Sequence, residues 1–155
     1  MTRVGLVSGG ALLLVSGVAA EGQGIPEELT ILGAPVTAEQ VALGQDLYAA
    51  NCASCHGVNL EGQPDWRRRN ESGRMPAPPH DASGHTWHHA DRQLFTITKL
   101  GVGAIVPGYE SDMPAFEGIL SDNEIATVLA FIKSTWPERE RGFQAEVTAN
   151  DRDGS

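Results

Sequence analysis

The feature that most constrains this chain is the segment Cys-Ala-Ser-Cys-His at residues 52–56, which contains the only two cysteines of the sequence. Cys-x-x-Cys-His is the attachment sequence of a c-type haem. Within a helical turn, two thiols at this spacing can reach the two vinyl groups on one edge of a porphyrin, and the adjacent imidazole then points at the iron. The motif predicts one haem c, held covalently by Cys52 and Cys55, with His56 as an axial ligand.

Three other interpretations of the cysteine pair agree less well with the sequence. A thioredoxin-like redox pair needs a βαβ setting, and no strand alternation long enough for a sheet is present. A structural zinc site needs four ligands and would have to recruit distant histidines. A disulfide across this short gap closes a small strained ring that adds little stability, and it leaves His56 without a role.

Three segments have the pattern of helices. Residues 37–40, Thr-Ala-Glu-Gln, match a capping box, and apolar or small residues follow at helical spacing. A second helix is predicted over residues 91–100, with Gly101 placed to end it. The third helix begins with the capping box at residues 121–124, Ser-Asp-Asn-Glu, and Pro137 stops it. Three helices without strand patterns predict an all-α fold.

The segment between the first two predicted helices, residues 57–90, has no sustained period. A loop of this length is uncommon in a compact domain unless a ligand or a function orders it. Only 6% of the residues are aromatic, so the chain itself offers few large apolar surfaces. The faces of a haem would supply the surface on which this loop packs. We therefore expect three main helices and long loops around one covalently bound haem.

The first twenty residues have the composition of a secretory signal peptide. Arg3 precedes an uncharged run rich in Leu, Val and Ala, which ends in small residues at Ala20 and is short for a membrane anchor. We predict an exported, periplasmic protein with no membrane span after cleavage. Its predicted parts are a signal peptide at 1–20, an N-terminal extension at 21–36, one domain at 37–136 and a charged C-terminal tail at 137–155, which frays from Ala145.

A methionine is the main candidate for the sixth iron ligand. Met113 lies in a loop just before the third predicted helix, and Pro114 stiffens the backbone there. A thioether opposite an imidazole fills both axial positions and raises the potential of the iron. Met75, which also precedes a proline, is the alternative; a histidine or an open position are the others. Met113 could instead fill a gap in the core, as methionines often do.

Several of these residues together resemble a class I cytochrome c, over about residues 37–136. The matching residues are Gly44 and Tyr48, the motif Cys52 to Gly57, the segment Met113 to Phe116, and Ala130, Phe131 and Ile132. The resemblance implies the cytochrome c fold, in which Gly44 and Tyr48 meet Phe131 where the first and last helices cross. It implies a one-electron carrier rather than an enzyme, free or as a subunit of an oxidoreductase complex.

The same resemblance implies that a proline carbonyl orients the proximal imidazole by accepting its N–H. Pro78 is the nearest match, with His80 in place of the family's usual leucine.

The long loop carries two further groups of polar side chains. Candidate donors to the haem propionates, of which one or two would bond the haem, are Trp66, Arg67, Arg68, Arg69, Arg74 and Trp87. The histidines of the loop are His80, His85, His88 and His89, dense enough to raise the hypothesis of a copper or zinc site. Because no complete ligand set of fixed spacing is present, we expect them instead to cap a helix, bond carbonyls or propionates, or face water.

The formal net charge of −9 disfavours nucleic acid and anionic lipid as partners and favours basic protein surfaces. The segment around Met113 is acidic; its carboxylates are Glu110, Asp112, Glu117, Asp122 and Glu124. We therefore expect redox partners with a basic docking face. Two rival functions are a haem sensor or enzyme subunit with an open sixth position, and a copper-handling protein that uses the His80 to His89 cluster.

Overall fold

The computed structural model describes Met1 and residues 29–151. The predicted signal peptide beyond Met1, residues 21–28 and residues 152–155 lie outside the described part. The described residues are mainly helical, which confirms the predicted all-α class, and no helix among them is long and apolar enough to cross a membrane. The elements are β1 (Thr30–Ile31), β2 (Ala34–Pro35), α1 (Ala38–Asn51), α2 (Ala53–His56), α3 (Asp91–Leu100), α4 (Asp122–Ser134) and α5 (Glu138–Asn150), with 3₁₀ turns at Thr86–His88 and Val102–Ala104.

Helix α1 begins at the predicted cap. The hydroxyl of Thr37 accepts the backbone N–H of Gln40 at 3.1 Å, which satisfies one free donor of the first turn. In a full capping box, the side chain of Gln40 would also accept the backbone N–H of Thr37, and this second bond is not present. That side chain donates to the hydroxyl of Thr127 on α4 at 3.4 Å, so the first turn of α1 is bonded to the neighbouring helix.

Helices α1 and α4 are in close contact at Gly44. A Cβ atom there would lie 2.3 Å from the carbonyl oxygen of Thr127 and 2.8 Å from the Cβ of Phe131, so this crossing needs glycine. One turn later the buried ring of Tyr48 packs on the ring of Phe131, with centroids 5.5 Å apart. The helix crossing implied by the cytochrome c resemblance is therefore present.

Helix α4 supplies much of the hydrophobic core. The complete capping box between Ser121 and Glu124 starts this helix, as predicted. Helix α3 occupies the predicted residues and packs Leu94 inward, and Gly101, at a φ of 84°, ends it. The buried side chains that form the core cluster are Ile31, Tyr48, Ala53, Leu60, Leu94, Phe116, Ile125, Val128, Leu129, Ala130, Ile132 and Trp136.

The charged segment after Pro137 is a helix where fraying was expected from Ala145. Helix α5 continues to Asn150 because Gln144 is fully buried. The side-chain amide of Gln144 donates to the carboxylate of Asp91 at 2.7 Å. Most residues of α5 are charged or small, so no apolar stripe in the sequence indicated this contact.

A buried ion pair joins the elements around Asp91. The ammonium of Lys133 lies 2.9 Å from one carboxylate oxygen of Asp91, and both side chains are at most 5% exposed. The other oxygen of Asp91 accepts the backbone N–H of Leu32 at 2.9 Å. The β1–β2 hairpin, α3, α4 and α5 therefore meet at one carboxylate.

Residues 57–90 form the expected long loop, and the chain around His80 folds back onto the beginning of this loop. The backbone N–H of His80 donates to the carbonyl of Leu60 at 2.8 Å. The indole N–H of Trp136 donates to the carbonyl of His80 at 2.7 Å. These bonds bring the segment Pro78-Pro79-His80 beside His56, where the cysteine motif ends.

Candidate haem-binding site

The two cysteines and His56 lie in a short turn that follows α1. Cys52 caps that helix, and α2 carries the rest of the motif. Both thiols are free: Cys52 is half-buried against the core cluster, and Cys55 is exposed. The motif thus presents one thiol toward the core, one toward solvent, and the buried imidazole of His56 between the turn and the long loop.

The imidazole of His56 is held in one tautomer. Its Nδ1 lies 2.8 Å from the carbonyl oxygen of Pro78, and a carbonyl can only accept, so Nδ1 carries the proton. Nε2 then keeps the lone pair with which a neutral histidine binds a metal. Burial lowers the pKa of His56, and the bond to Pro78 opposes that effect only in part, so the ring is neutral at neutral pH. A backbone carbonyl on the second nitrogen is typical of ligating histidines.

The environment of Cys52 disfavours the thiolate form of its side chain. Burial raises the pKa of Cys52 to about 11, and the neighbouring Cys55 adds to the rise. Catalytic dithiols and thiolate metal ligands depend on the opposite shift, toward a lower pKa. The thioredoxin-like interpretation therefore finds no support in this environment.

The two candidate methionines lie on neighbouring segments. The guanidinium of Arg74 and the carboxylate of Asp112 form an ion pair at 2.9 Å, so the segments that carry Met75 and Met113 are joined. Met113 is partly buried and packs against the core cluster, and its backbone N–H donates to the Ser111 hydroxyl at 3.0 Å. Met75 is half-buried. Of the two, Met113 is the one with a place in the core.

The arginines predicted as propionate donors make contacts at the surface. The guanidinium of Arg67 lies over the Trp66 ring at 4.2 Å, and Arg69 donates to a backbone carbonyl of its own loop. Arg74 is engaged in the ion pair described above, and Arg68 is exposed. None of the four is buried, which agrees with the expectation that most of this run is solvated.

Trp87, unlike the four arginines, has a buried hydrogen-bond donor. Its indole N–H is buried and has no hydrogen-bond partner among the described residues. Buried donors are nearly always paired, so an unpaired one indicates a group that binds there. The ring of Trp87 packs against the core cluster and stacks on His88 at 3.8 Å. A haem propionate is an acceptor of the kind that would satisfy this donor, so the residues present fit the predicted group.

The histidines of the long loop contact different partners, and His85 and His89 also contact each other, with ring centroids 5.5 Å apart. His80, His85 and His88 stack on the rings of His56, Trp66 and Trp87, respectively, and His89 hydrogen-bonds to the side chain of Gln93. Within residues 29–151, no group of three His, Cys, Asp or Glu side chains could hold a metal ion. The described residues therefore give the hypothesis of a copper or zinc site no support.

His80 is a residue of the site that the sequence pattern did not identify. Its ring lies nearly parallel to that of His56, with centroids 4.0 Å apart and 19° between the planes. Burial lowers the pKa of His80 well below its usual range, and His56 and His85 lower it further, so this ring is neutral. The available signal was its position directly after two prolines, where the resembled family has leucine.

Most of the described fold matches a known protein family. Residues 41–136 match the family model for cytochrome c. The match begins within α1 and ends after α4, so it includes the cysteine motif, Pro78 and Met113. Helix α5 lies beyond it. No solved structure matches the chain.

Individual relatives fall into two groups. Cytochrome c6 of Tetradesmus obliquus is 32% identical over 96 residues, which cover 59% of this chain and 86% of that protein. Cytochrome c6 of Picosynechococcus sp. is 33% identical over 101 residues, which cover 64% and 77% of the two chains. The Cbb3-type cytochrome c oxidase subunit CcoP of Rhodobacter capsulatus is 26% identical over 107 residues, 68% of this chain, and the match spans only 33% of that subunit.

Proposed function

Because the chain belongs to the cytochrome c family, and is therefore an electron carrier rather than an enzyme, we propose that it is a monohaem cytochrome with His56 and Met113 as axial ligands. The observation that carries the proposal is the buried His56 imidazole, whose Nδ1–H is held by Pro78 directly after the two cysteines. The sequence has only these two cysteines, which supports a single covalently attached haem.

Different residues of the chain would hold different parts of the haem. The thiols of Cys52 and Cys55 would form two thioether bonds, which make the cofactor permanent. His56 offers Nε2 to the iron, and Pro78 keeps the proton on Nδ1. The indole N–H of Trp87 is buried and has no partner among the described residues, so it would be the donor to a propionate. When bound, the haem supplies an iron that accepts and releases one electron without forming a product.

Met113 is proposed as the second axial ligand because its partly buried side chain packs against the core cluster. With a thioether and an imidazole both bound to the iron, the site would have little room for a substrate. This ligand pair also raises the reduction potential, because the soft sulfur favours ferrous iron. Met75 is retained as the competing ligand, since its segment is bonded to that of Met113.

Absorption spectra of the ferric protein test this ligand assignment. We expect the long-wavelength charge-transfer band of thioether-ligated ferric haem in the parent protein. The Met113→Ala variant should lose the band, and the reduced variant should bind carbon monoxide promptly because its sixth position is open. Met75→Leu is the matched control and should keep the band. Loss of the band in Met75→Leu alone, or prompt carbon monoxide binding by the parent, would contradict ligation by Met113.

Location and partners are proposed from the sequence and its charge. The composition of residues 1–20 supports export to the periplasm. The acidic segment around Met113 supports docking to redox partners with a basic face. Its relatives include small cytochromes and a subunit of a larger oxidase, so both a free carrier and a subunit of a complex agree with the comparisons.

A further inference from the structure

We propose that His80 is a positioning residue for the proximal ligand. Its imidazole lies flat against the ring of His56 and, together with the carbonyl of Pro78, sets the plane in which that ring meets the iron. The inference rests on the proposed function, in which His56 ligates a haem iron. It adds a residue that the family resemblance does not supply, because the family has leucine at this position.

The two contacts restrict different motions of His56. The hydrogen bond from Nδ1 to Pro78 holds one edge of the ring, but a single hydrogen bond acts as a hinge about which the ring can tilt. The parallel face of His80, with its centroid 4.0 Å away, blocks that tilt on one side. Pro78 and His80 belong to one short segment, so the contact at the edge of the His56 ring and the contact on its face keep the same relative position.

His80 can serve this purpose because it is itself held firmly. Its Nδ1 lies 2.8 Å from the hydroxyl of Thr86, which is only 6% exposed. Its backbone N–H donates to Leu60, and its carbonyl accepts the indole N–H of Trp136. The side chain and the backbone of His80 are therefore both hydrogen-bonded, and all their partners lie outside the haem motif.

The consequence for the iron follows from how outer residues act on metal ligands. Groups that orient a ligating histidine alter the affinity and the potential of the metal, because they fix the overlap between ligand and metal orbitals. A leucine at position 80 would have no flat face to match the imidazole and no atom to bond the Thr86 hydroxyl. We therefore expect a less restricted proximal ring in its place.

The test compares haem-loaded variants by paramagnetic NMR and by potentiometry. The shifts of the haem methyl protons in the ferric state report the orientation of the axial imidazole plane. We expect His80→Leu to change this pattern and to shift the ferric–ferrous equilibrium about tenfold, which is ~59 mV for a one-electron couple. His80→Phe keeps a flat ring but loses the bond to Thr86, so it should change both readouts less than His80→Leu does. His89→Leu is the matched control, since His89 bonds the side chain of Gln93, and it should change neither readout.

A further variant keeps the inference testable if His80→Leu fails to fold. Thr86→Val keeps the imidazole at position 80 but removes the hydroxyl that anchors its Nδ1, so the His80 ring should become free to move. A changed methyl pattern in this variant supports the inference, and an unchanged pattern overturns it. A folded, haem-loaded His80→Leu protein with the parent's pattern and potential overturns it as well, while the carrier function stands. If mass spectrometry showed that the parent protein carries no covalent haem, the proposed function itself would be wrong.

Discussion

At the scale of single residues, the crossing of α1 and α4 depends on the side chain that Gly44 lacks. Glycine inside a helix ordinarily costs about 1 kcal/mol relative to alanine, because it loses more backbone entropy on folding. Here the cost is accepted because Thr127 and Phe131 occupy the space where a Cβ atom would lie. The contact brings Tyr48 onto Phe131 and so positions the end of α1, from which the cysteine motif continues.

Replacement of Gly44 by alanine should therefore destabilise the fold in spite of the better helix propensity. We expect the free energy of unfolding to fall by about 1–3 kcal/mol, since the backbones must move apart to admit the methyl group. Denaturant unfolding measures this change. The control is Gly142→Ala on α5, where nothing lies within 4 Å of the added atom, and it should raise stability by up to about 1 kcal/mol. A stabilising Gly44→Ala would show that the helices do not meet as described.

At the scale of elements, α5 and the hairpin are attached to the cytochrome core through one buried carboxylate. Asp91 begins α3 and receives bonds from Lys133 on α4, Gln144 on α5 and the backbone of Leu32. A buried ion pair does not add much stability by itself, because both charges lose their hydration. The loss of one partner is costly, however, because the remaining charge stays buried without compensation.

The Lys133→Met variant tests this attachment, because methionine preserves length while removing the charge. We expect the free energy of unfolding to fall by about 3–5 kcal/mol as the Asp91 carboxylate loses its counterion. Thermal or denaturant unfolding is the measurement. Lys99→Met, which removes the surface ion pair with Asp122, is the matched control and should change stability little. Equal losses in the two variants would show that the burial of the pair has no effect.

At the scale of the whole molecule, the surplus of carboxylates is the feature that we expect to govern encounters with partners. The net charge is −9, and the segment between Gly101 and Glu124 holds acids and no base. Attraction to a basic partner raises the rate of association at low salt and is screened as the Debye length shortens. The acidic segment carries Met113, so this attraction would act near the proposed iron ligand.

The rate of electron transfer to a basic redox protein should therefore fall as ionic strength rises. Glu110→Gln should lower the association rate at low salt, and its difference from the parent should vanish at high salt. Asp46→Asn removes one exposed carboxylate of α1, outside the acidic segment, and should have the smaller effect. Stopped-flow kinetics over a salt series supply the measurement. A rate that is independent of salt would exclude electrostatic docking.

Much of the fold could be predicted from local patterns. The caps at Thr37 and Ser121 and the limits of α3 were evident, because a cap depends on residues within one turn of each other. The cysteine motif likewise carries its chemistry within five consecutive residues, and its family is confirmed by the comparison. The choice of Met113 over Met75 remains a prediction, since sulfur ligation depends on the position of each loop.

The sequence by itself determined the class of the fold, the attachment motif and the acidic surface, because each depends on neighbouring residues or on composition. Only the tertiary structure decided that His80 stacks on His56, and that Gln144 is buried against Asp91. In both cases the partners are far apart in the chain, and the long loop or the turn after α4 brings them together. A polar side chain has the same local pattern whether it faces water or a buried partner, so its role is set by the packing around it.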